Sequence, residues 1–405
     1  MKCNAIALDL EKIRSETILE IEMGKVEVNK FVVCTAGTSI ATNLGIEKGI
    51  VFEPSAWDED NVDFEQTIKK KLQPYIHENM NNIERQRALS AEINTLAGLT
   101  IGKSDRVVLL ASDTGQGRIC SEAVRLCLIQ WYELPENAVK VERVEGLQVN
   151  DQQRLEEFGL RNLVSKIISI LDQNQYSYEI IFNTTGGYKG VVPFMAAIGM
   201  IFGKKIVYMF ESSKSLLTLP PLPLSFNLTL YNRVRPALNY LYENSSASKW
   251  DYLSKIVGYT FEEENLFMSF VETIENEVTL SPLAFSLLEI EKNSQKPQVL
   301  ESIATYLKND NKVDSIRLRR MLDKVSNVLW RNSHYHSFSG TDLLVFKLPA
   351  TTYRLAGYMR NNNIHITHAF SKHDVYEREL NGARKSHYID GDYTVWDTKT
   401  EDKAV

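Results

Sequence analysis

The sequence has little cysteine and no long hydrophobic run. Four cysteines occur among 405 residues, all in the first third, and no two of them have the C-x-x-C spacing of a metal site. This scarcity excludes a disulfide scaffold and a cysteine-based zinc site, and it is typical of a reducing compartment. No apolar run approaches the ~18–20 residues that span a bilayer, and acidic residues interrupt the N-terminal segment where a signal peptide needs an apolar stretch. We therefore expect a cytoplasmic protein with no membrane partner.

Two glycine-rich nucleotide motifs are also missing. The chain has neither the GxGxxG of dinucleotide-binding folds nor the GxxxxGK[ST] of phosphate-binding loops. Their absence disfavours an ordinary metabolic Rossmann enzyme, which we keep only as a minor alternative.

The net charge of −6 is unevenly distributed along the chain. Residues 280–405 carry 18 Lys and Arg against 15 Asp and Glu, so the preceding part is acidic. Six of the seven histidines follow residue 330. A basic, histidine-rich end on an acidic body predicts a second function there, with an anionic partner.

Four short apolar runs in the first half each end in a loop of small residues; they are 31–34, 107–111, 178–182 and 206–210. The runs are continuous rather than alternating, which is typical of strands buried on both faces of a parallel sheet. Helical patterns separate the runs, over 118–131, 160–171 and 191–202. Alternating strands and helices predict an α/β, doubly wound domain whose loops gather along one edge.

Three domains are predicted. A proline-rich stretch closes the first domain, residues 1–228, because it can continue neither a helix nor a central strand. Residues 229–279 have a mainly helical pattern and are interpreted as a connector. Residues 280–405 are predicted to form an α+β unit. Its elements are a strand at 284–290, helices at 296–308 and 314–330, and strands at 343–348, 353–358 and 364–370, the last two joined by a hairpin turn at 361–363.

Three of the four loops in the first domain offer groups suited to a nucleotide. Glycines let main-chain N–H groups approach an anion, and hydroxyl and amide side chains can bind ribose, phosphate or base edges. Lys189 adds a positive charge beside a pair of glycines. Because such loops meet at one edge of a parallel sheet, they predict a nucleotide-binding site there.

The segments TAGTS at 35–39, SDTGQG at 112–117, NTTGGYKG at 183–190 and FES…LPPLPLSF at 210–226 resemble, in this order, the CARF domain. This is the Rossmann-like ligand sensor of type III CRISPR systems. The resemblance implies a cyclic oligoadenylate, with cyclic tetra-adenylate as the expected ring, bound across a homodimer, since a two-fold dimer presents the same patch to both halves of a symmetric ring. The matching ligand-binding positions are Gly37, Thr38, Ser39, Thr114, Gly117, Asn183, Thr184, Gly186, Gly187 and Lys189.

Basic and imidazole side chains lie on or just after the predicted strands of the last unit. Cleavage of RNA through its 2′-hydroxyl needs a base, an acid and cations that stabilise the phosphorane. Arg suits phosphate because its hydrogen bonds are bidentate, and a Lys or His of lowered pKa can exchange protons. No carboxylate cluster with metal-ligand spacing accompanies them, so we expect no metal site; a phosphate-binding surface without chemistry stays open. The candidate residues are Lys347, Arg354, His368, Lys372, His373 and Arg384, with Tyr376 and Tyr388 among them.

The stretch LLVFKLPATTYRLAGYM…IHITHAFSKHDVYERELNGARK, within 343–386, resembles the RelE superfamily of mRNA interferases. Lys347 and Arg354 match the two basic strand positions, and Lys372 and His373 match the basic pair after the last long strand. Tyr376 or Tyr388 takes the place of the stacking aromatic residue, and the base and acid stay unassigned. The resemblance implies cleavage of mRNA on the ribosome.

A CARF sensor joined to a RelE-like effector resembles the CRISPR-associated mRNA interferases. This resemblance implies an endoribonuclease of type III CRISPR antiviral defence that the cyclic oligoadenylate activates. The main alternative is a CARF-type transcription regulator in which helices 296–308 and 314–330 bind DNA through Arg317, Arg319 and Arg320.

Overall fold

The computed structural model describes residues 29–46, 56–58, 62–148, 151–187, 189–210, 215–220, 227–274, 276–293, 295–310, 312–361 and 363–397. Helices and mixed sheets alternate through these residues, which confirms the predicted α/β fold class. None of the helices in these ranges is both long and apolar enough to cross a bilayer.

The N-terminal unit is built on a six-stranded sheet in the spatial order β3-β2-β1-β4-β5-β6. The first five strands are parallel, and β6 is antiparallel to β5. Four of them confirm the predicted apolar strands. The order reverses between β1 and β4, so the crevice typical of such sheets lies where these two strands end. The strands are β1 (Lys30–Ala36), β2 (Arg106–Ala111), β3 (Val139–Arg143), β4 (Glu179–Asn183), β5 (Lys205–Met209) and β6 (Leu216–Leu219).

Helices cover both faces of this sheet. Successive strand residues point to opposite faces, so Val32 and Cys34 pack in one apolar core while Val33 packs in the other. The first core takes in α1, α2, α4 and α5, and the second takes in α6 and α7. The helices are α1 (Ser39–Asn43), α2 (Val62–Glu78), α3 (Ile83–Leu89), α4 (Ala91–Gly98), α5 (Gly115–Tyr132), α6 (Leu160–Asn174) and α7 (Val192–Ile201).

The connector combines helices with a small sheet. The predicted helical pattern holds for its first part but ends at a hairpin that the prediction missed, because the β-branched residues of 271–280 favour strands. The three strands pair in the order β7-β9-β8. The elements are α8 (Leu228–Asn244), β7 (Ala247–Ser248), α9 (Lys249–Ser254), α10 (Glu264–Met268), β8 (Val271–Ile274) and β9 (Glu277–Leu280).

The predicted strand at 284–290 was wrong, because these residues belong to helix α11 (Pro282–Asn293). Ala284, Leu287 and Leu288 are buried at helical spacing, and a short apolar run does not distinguish a strand from a buried helix. Helix α11 packs against α6 of the N-terminal unit, where the hydroxyls of Ser286 and Ser165 are 3.2 Å apart.

The C-terminal sheet has the order β11-β12-β13-β14-β10-β15, and β10 with β14 is its parallel pair. The three predicted strands at 343–370 are confirmed as β12, β13 and β14. Helices α12 and α13 pack on one face, and α15 covers the other. The elements are β10 (Gln298–Leu300), α12 (Glu301–Asn309), α13 (Val313–Val325), α14 (Val328–His334), β11 (Tyr335–His336), β12 (Leu344–Lys347), β13 (Arg354–Arg360), β14 (Asn363–Phe370), α15 (His373–Leu380) and β15 (Tyr393–Val395).

Candidate functional site

The loops after β1 and β4 touch each other at the crevice of the N-terminal sheet. The Thr35 hydroxyl donates a 2.5 Å hydrogen bond to the Gly186 carbonyl. A Cβ atom at Gly37 would lie 3.0 Å from the Gly187 nitrogen, and Gly187 has a φ of +81°. Glycine is therefore required at both positions, for close approach at Gly37 and for the left-handed backbone at Gly187.

The carboxyl group of Glu92, at the start of α4, lies beneath both loops. It is 0% exposed, and its Oε1 accepts the Gly37 N–H at 2.8 Å. A Cβ atom at Gly186 would lie 2.1 Å from the same oxygen. Burial raises the pKa of Glu92, and the hydrogen bond from the Gly37 backbone opposes this shift. Sequence reasoning missed this residue, although its i, i+4 spacing to Leu96 places it on the apolar face of α4.

Two predicted ligand positions point into the protein. The Asn183 amide oxygen accepts the Thr185 N–H at 3.1 Å, and the Thr184 hydroxyl donates to the Val207 carbonyl at 3.2 Å. Both side chains are buried. The Thr185 hydroxyl, which the prediction omitted, lies 2.7 Å from that of Thr95. These groups shape the loop after β4 rather than presenting polar atoms to a ligand.

The loop after β2 is organised by the start of α5. The Thr114 hydroxyl caps this helix by accepting the Gly117 N–H at 3.0 Å. A Cβ atom at Gly117 would lie 2.2 Å from the Ser112 hydroxyl, which explains the glycine there. The buried Asp113 beside them holds Arg143 at 2.6 Å and Arg154 at 3.4 Å. The predicted residues of this loop thus set its backbone, and the arginines add positive charge.

Of the remaining predicted positions, Gly186 is buried and the other five are open to solvent at least in part. Gly37, Thr38 and Ser39 are half-buried, and Gly187 is half-buried on the neighbouring loop. Lys189 is exposed in the short 3-10 turn that leads to α7. Main-chain N–H groups, hydroxyls and an ammonium group at one edge suit a ligand that carries phosphates. The ligand-binding role of all these residues stays a prediction.

Strand register places the basic residues of the C-terminal sheet on one face. Lys347 on β12 lies opposite Arg354 on β13, which lies opposite Phe370 on β14. The next row on the same face runs from His336 through Val345 and Ala356 to His368. Helix α15 packs over this face.

Arg354 lies beneath α15. It is 2% exposed, and its Nη1 donates to the carbonyls of Thr351 and Tyr353, both at 2.9 Å. Its guanidinium carbon is 5.2 Å from the ring centroid of Tyr376, and the ring of His373 is 5.0 Å from that of Tyr376. Burial lowers the pKa of Arg354, while Tyr376 acts in the opposite direction. The structure thus brings these three predicted residues together.

The other two predicted residues flank this group. Lys347 is half-buried next to Arg354. Burial lowers the pKa of His336, and the charges of Arg354 and Lys347 lower it further. Lys372 is exposed at the N-terminal end of α15. It lines an open cavity of about 190 Å³, with Ile303, His368, Ala369, Phe370, Ser371, Val375 and Glu379.

No group of three or more His, Cys, Asp or Glu residues is placed to hold a metal ion in the described ranges. Two arginines of the alternative DNA-binding helix make contacts within the unit itself. Arg317 donates to the Tyr353 hydroxyl at 3.1 Å, and Arg319 donates to the Leu307 carbonyl at 2.8 Å.

One family model, described as CRISPR-associated protein (Cas_APE2256), matches residues 87–222. This segment contains Glu92 and the loops after β2 and β4. No curated protein has a significant match to the chain. The match suggests a role in CRISPR systems for the N-terminal unit.

Proposed function

We propose that this chain is an endoribonuclease of type III CRISPR antiviral defence, activated by a cyclic oligoadenylate and acting on mRNA at the ribosome. The observation that carries the proposal is the pairing, in one chain, of a CRISPR-associated segment that has glycine loops at its sheet edge and a sheet face with clustered cations and histidines. The resemblances to CARF domains and to RelE enzymes support the two halves separately.

The ligand of the sensor is a ring of adenylates, with cyclic tetra-adenylate the first ring to test. Each ring carries one phosphate per nucleotide, and the half-buried loop residues Thr38 and Gly187 with the ammonium of the exposed Lys189 match this chemistry. The proposed homodimer presents the same loops to both halves of the ring. Titration calorimetry is expected to find one ring per two chains; one ring per chain would contradict the shared site.

The reaction proposed for the effector is attack of a 2′-hydroxyl on the adjacent phosphorus. The 5′-oxygen leaves with a proton, and the products are a 2′,3′-cyclic phosphate and a 5′-hydroxyl. Lys347, Lys372 and Arg354 supply positive charge for the phosphorane. Because α15 covers Arg354, this guanidinium contributes its charge from beneath the helix, and Lys372 is the cation that contacts the phosphate.

The test incubates purified protein with translating ribosomes, with and without cyclic tetra-adenylate or cyclic hexa-adenylate, and maps the mRNA ends. We expect ring-dependent cuts within codons on the ribosome and little cutting of naked RNA, because the ribosome orients the substrate. A Lys347→Ala, Lys372→Ala double variant should bind the ring normally and cut at least about 100-fold more slowly. Binding of duplex DNA without any RNA cleavage would favour the regulator alternative.

A further inference from the structure

The cavity beside α15 lies at an open edge of β14. Strand β10 pairs with His365 and Ile366, and in the described residues no strand continues alongside β14 beyond this point. Ile303 of α12 forms one wall, and Val375 and Glu379 of α15 form the other. His368 and Lys372 contribute an imidazole and an ammonium group to the same cavity. An RNA backbone can therefore approach these two groups from solvent.

Both ring nitrogens of His368 have a hydroxyl partner. Its Nδ1 is 2.8 Å from the Thr367 hydroxyl, which also donates to the Ala356 carbonyl at 3.2 Å. Its Nε2 faces the Tyr388 hydroxyl at 3.2 Å. In the tautomer whose Nδ1–H donates to Thr367, Nε2 carries the lone pair and can accept a proton.

We propose that His368 is the proton acceptor of the ribonuclease, positioned by the Tyr388 hydroxyl, with the scissile phosphate held in the cavity beside Lys372. This inference rests on the proposed function. The 2′-hydroxyl takes the place of the Tyr388 hydroxyl at Nε2 of His368 and gives its proton to that nitrogen as the O–P bond forms. The P–O5′ bond breaks, and the 5′-oxygen takes a proton from the Lys372 ammonium. The imidazolium then returns the first proton to Lys372, so the enzyme is regenerated.

The surroundings of His368 suit this role. Burial lowers the pKa of its imidazole, while the carboxylate of Glu379 raises it, and burial is the larger effect. The ring is therefore neutral and able to accept a proton at neutral pH. Phe370 stacks on it with ring centroids 5.4 Å apart, and the ring of Tyr388 meets it edge-on at 5.1 Å. These contacts fix the direction of Nε2.

The other histidines of this face are less well placed. His336 lies at the far end of the same row, separated from His368 by β12 and β13. His373 is exposed, and its Nε2 is 3.7 Å from the Glu377 carboxylate. Neither lines the cavity. Of the imidazoles on this face in the described ranges, His368 is the one that lines the cavity.

The experiment compares ring-stimulated cleavage by the full-length wild type, His368→Gln, His368→Ala and Tyr388→Phe. His368→Gln keeps a side-chain amide near the Nε2 position but cannot take a proton, so kcat should fall by about 100–1,000-fold with KM for programmed ribosomes unchanged. Tyr388→Phe removes the hydroxyl that positions the imidazole, so its kcat should fall by a smaller factor. Added imidazole should restore part of the rate of His368→Ala, an effect that a merely structural role would not produce.

His387→Gln is the matched control, because this imidazole is exposed on the same segment as Tyr388. It should cut at the wild-type rate. Cleavage at the wild-type rate by His368→Gln would overturn the role of His368 as proton acceptor and leave the proposed function standing. Loss of activity in His368→Gln with a lowered melting temperature and no imidazole rescue of His368→Ala would assign His368 a structural role instead. A wild type that never cuts RNA would overturn the proposed function itself.

Discussion

The carboxyl group of Glu92 shows how one buried residue can organise two ligand loops. It accepts the Gly37 N–H from one loop and lies against Gly186 of the other. A negative charge at this depth also repels the phosphates of the proposed ligand. Glu92 therefore holds the loops in place and, when ionised, weakens the binding of the proposed ligand to them.

Substitution of Glu92 separates these two effects. Glu92→Gln keeps an acceptor for the Gly37 N–H and removes the charge, so we expect ring affinity to rise several-fold. Glu92→Ala leaves that N–H without its acceptor, which costs about 1–3 kcal/mol of unfolding free energy.

The pKa of Glu92 is raised by folding, so the wild type loses stability relative to Glu92→Gln as the pH rises from 4.5. Chemical denaturation at pH 4.5 and 7.5 measures the unfolding free energies of both proteins. The same difference between wild type and Glu92→Gln at both pH values would contradict the raised pKa.

Lys189 is the exposed cation of the loop after β4. A charge-assisted hydrogen bond to phosphate contributes roughly 1.5–3 kcal/mol. Lys189→Ala removes two such contacts per dimer, so ring affinity should fall by at least about 100-fold, at ~1.4 kcal/mol per decade. The control is Lys103→Ala, because Lys103 is an exposed lysine that precedes β2 at the opposite edge of the sheet. Calorimetry that finds equal affinity for both variants would exclude Lys189 from the site.

At the scale of elements, α6 connects the ligand loops to the effector. The segment before it contains Arg154, which pairs with Asp113 in the loop after β2. The end of α6 contains Asp172, which forms an ion pair with the buried Arg331 of α14. Just beyond it, the ring of Tyr176 is 5.1 Å from that of Tyr335 in β11. Helix α6 has fifteen residues and is about 22 Å long. It thus spans most of the distance between the Arg154–Asp113 and Asp172–Arg331 ion pairs, which a ligand could couple.

Asp172→Ala tests this coupling. Arg331 is 3% exposed, and the variant leaves its charge without the carboxylate, so docking of the effector should weaken by about 1–3 kcal/mol. We expect unchanged ring affinity but a rate of cleavage that no longer depends on the ring. Lys166→Ala removes a surface ion pair from the same helix and should have neither effect. Normal ring-dependent cleavage by Asp172→Ala would show that activation does not use this contact.

At the scale of the whole molecule, we expect the two halves to respond differently to acid. Burial lowers the pKa values of four histidines, all in the C-terminal unit: His334, His336, His365 and His368. In the unfolded chain these groups have their ordinary pKa near 6.5. Below that pH the unfolded state binds more protons than the native state, so the stability of this unit falls as the pH falls.

Calorimetric melting at pH 7.5 and pH 5.5 tests this. The transition of the C-terminal unit should move to lower temperature at pH 5.5 by several degrees more than that of the N-terminal unit. His365→Gln should reduce the shift, because it removes one of the four groups, whereas His77→Gln, at an exposed position of α2, should leave it unchanged. Equal shifts of both units would contradict the assignment.

Local patterns in the sequence were sufficient to predict most of the strands and helices. Continuous apolar runs followed by small residues predicted the parallel strands and the edge where their loops meet, since both depend on neighbours in the chain. The hairpin of β13 and β14 was predicted in the same way, from residues that are neighbours in the chain. The run at 284–290 is too short for its pattern to distinguish a strand from a helix, and contact with α6 decided in favour of α11.

The sequence alone determined which chemistry is available: glycine loops with Lys189 in one half, and cations with histidines in the other. Tertiary structure decided which of these groups are exposed. It buried Asn183 and Arg354, brought Glu92 beneath two distant loops, and aligned His368 with Tyr388. Those relations join residues that are far apart in the chain or on different elements. They depend on how whole elements pack, which the residues on either side of each position do not encode.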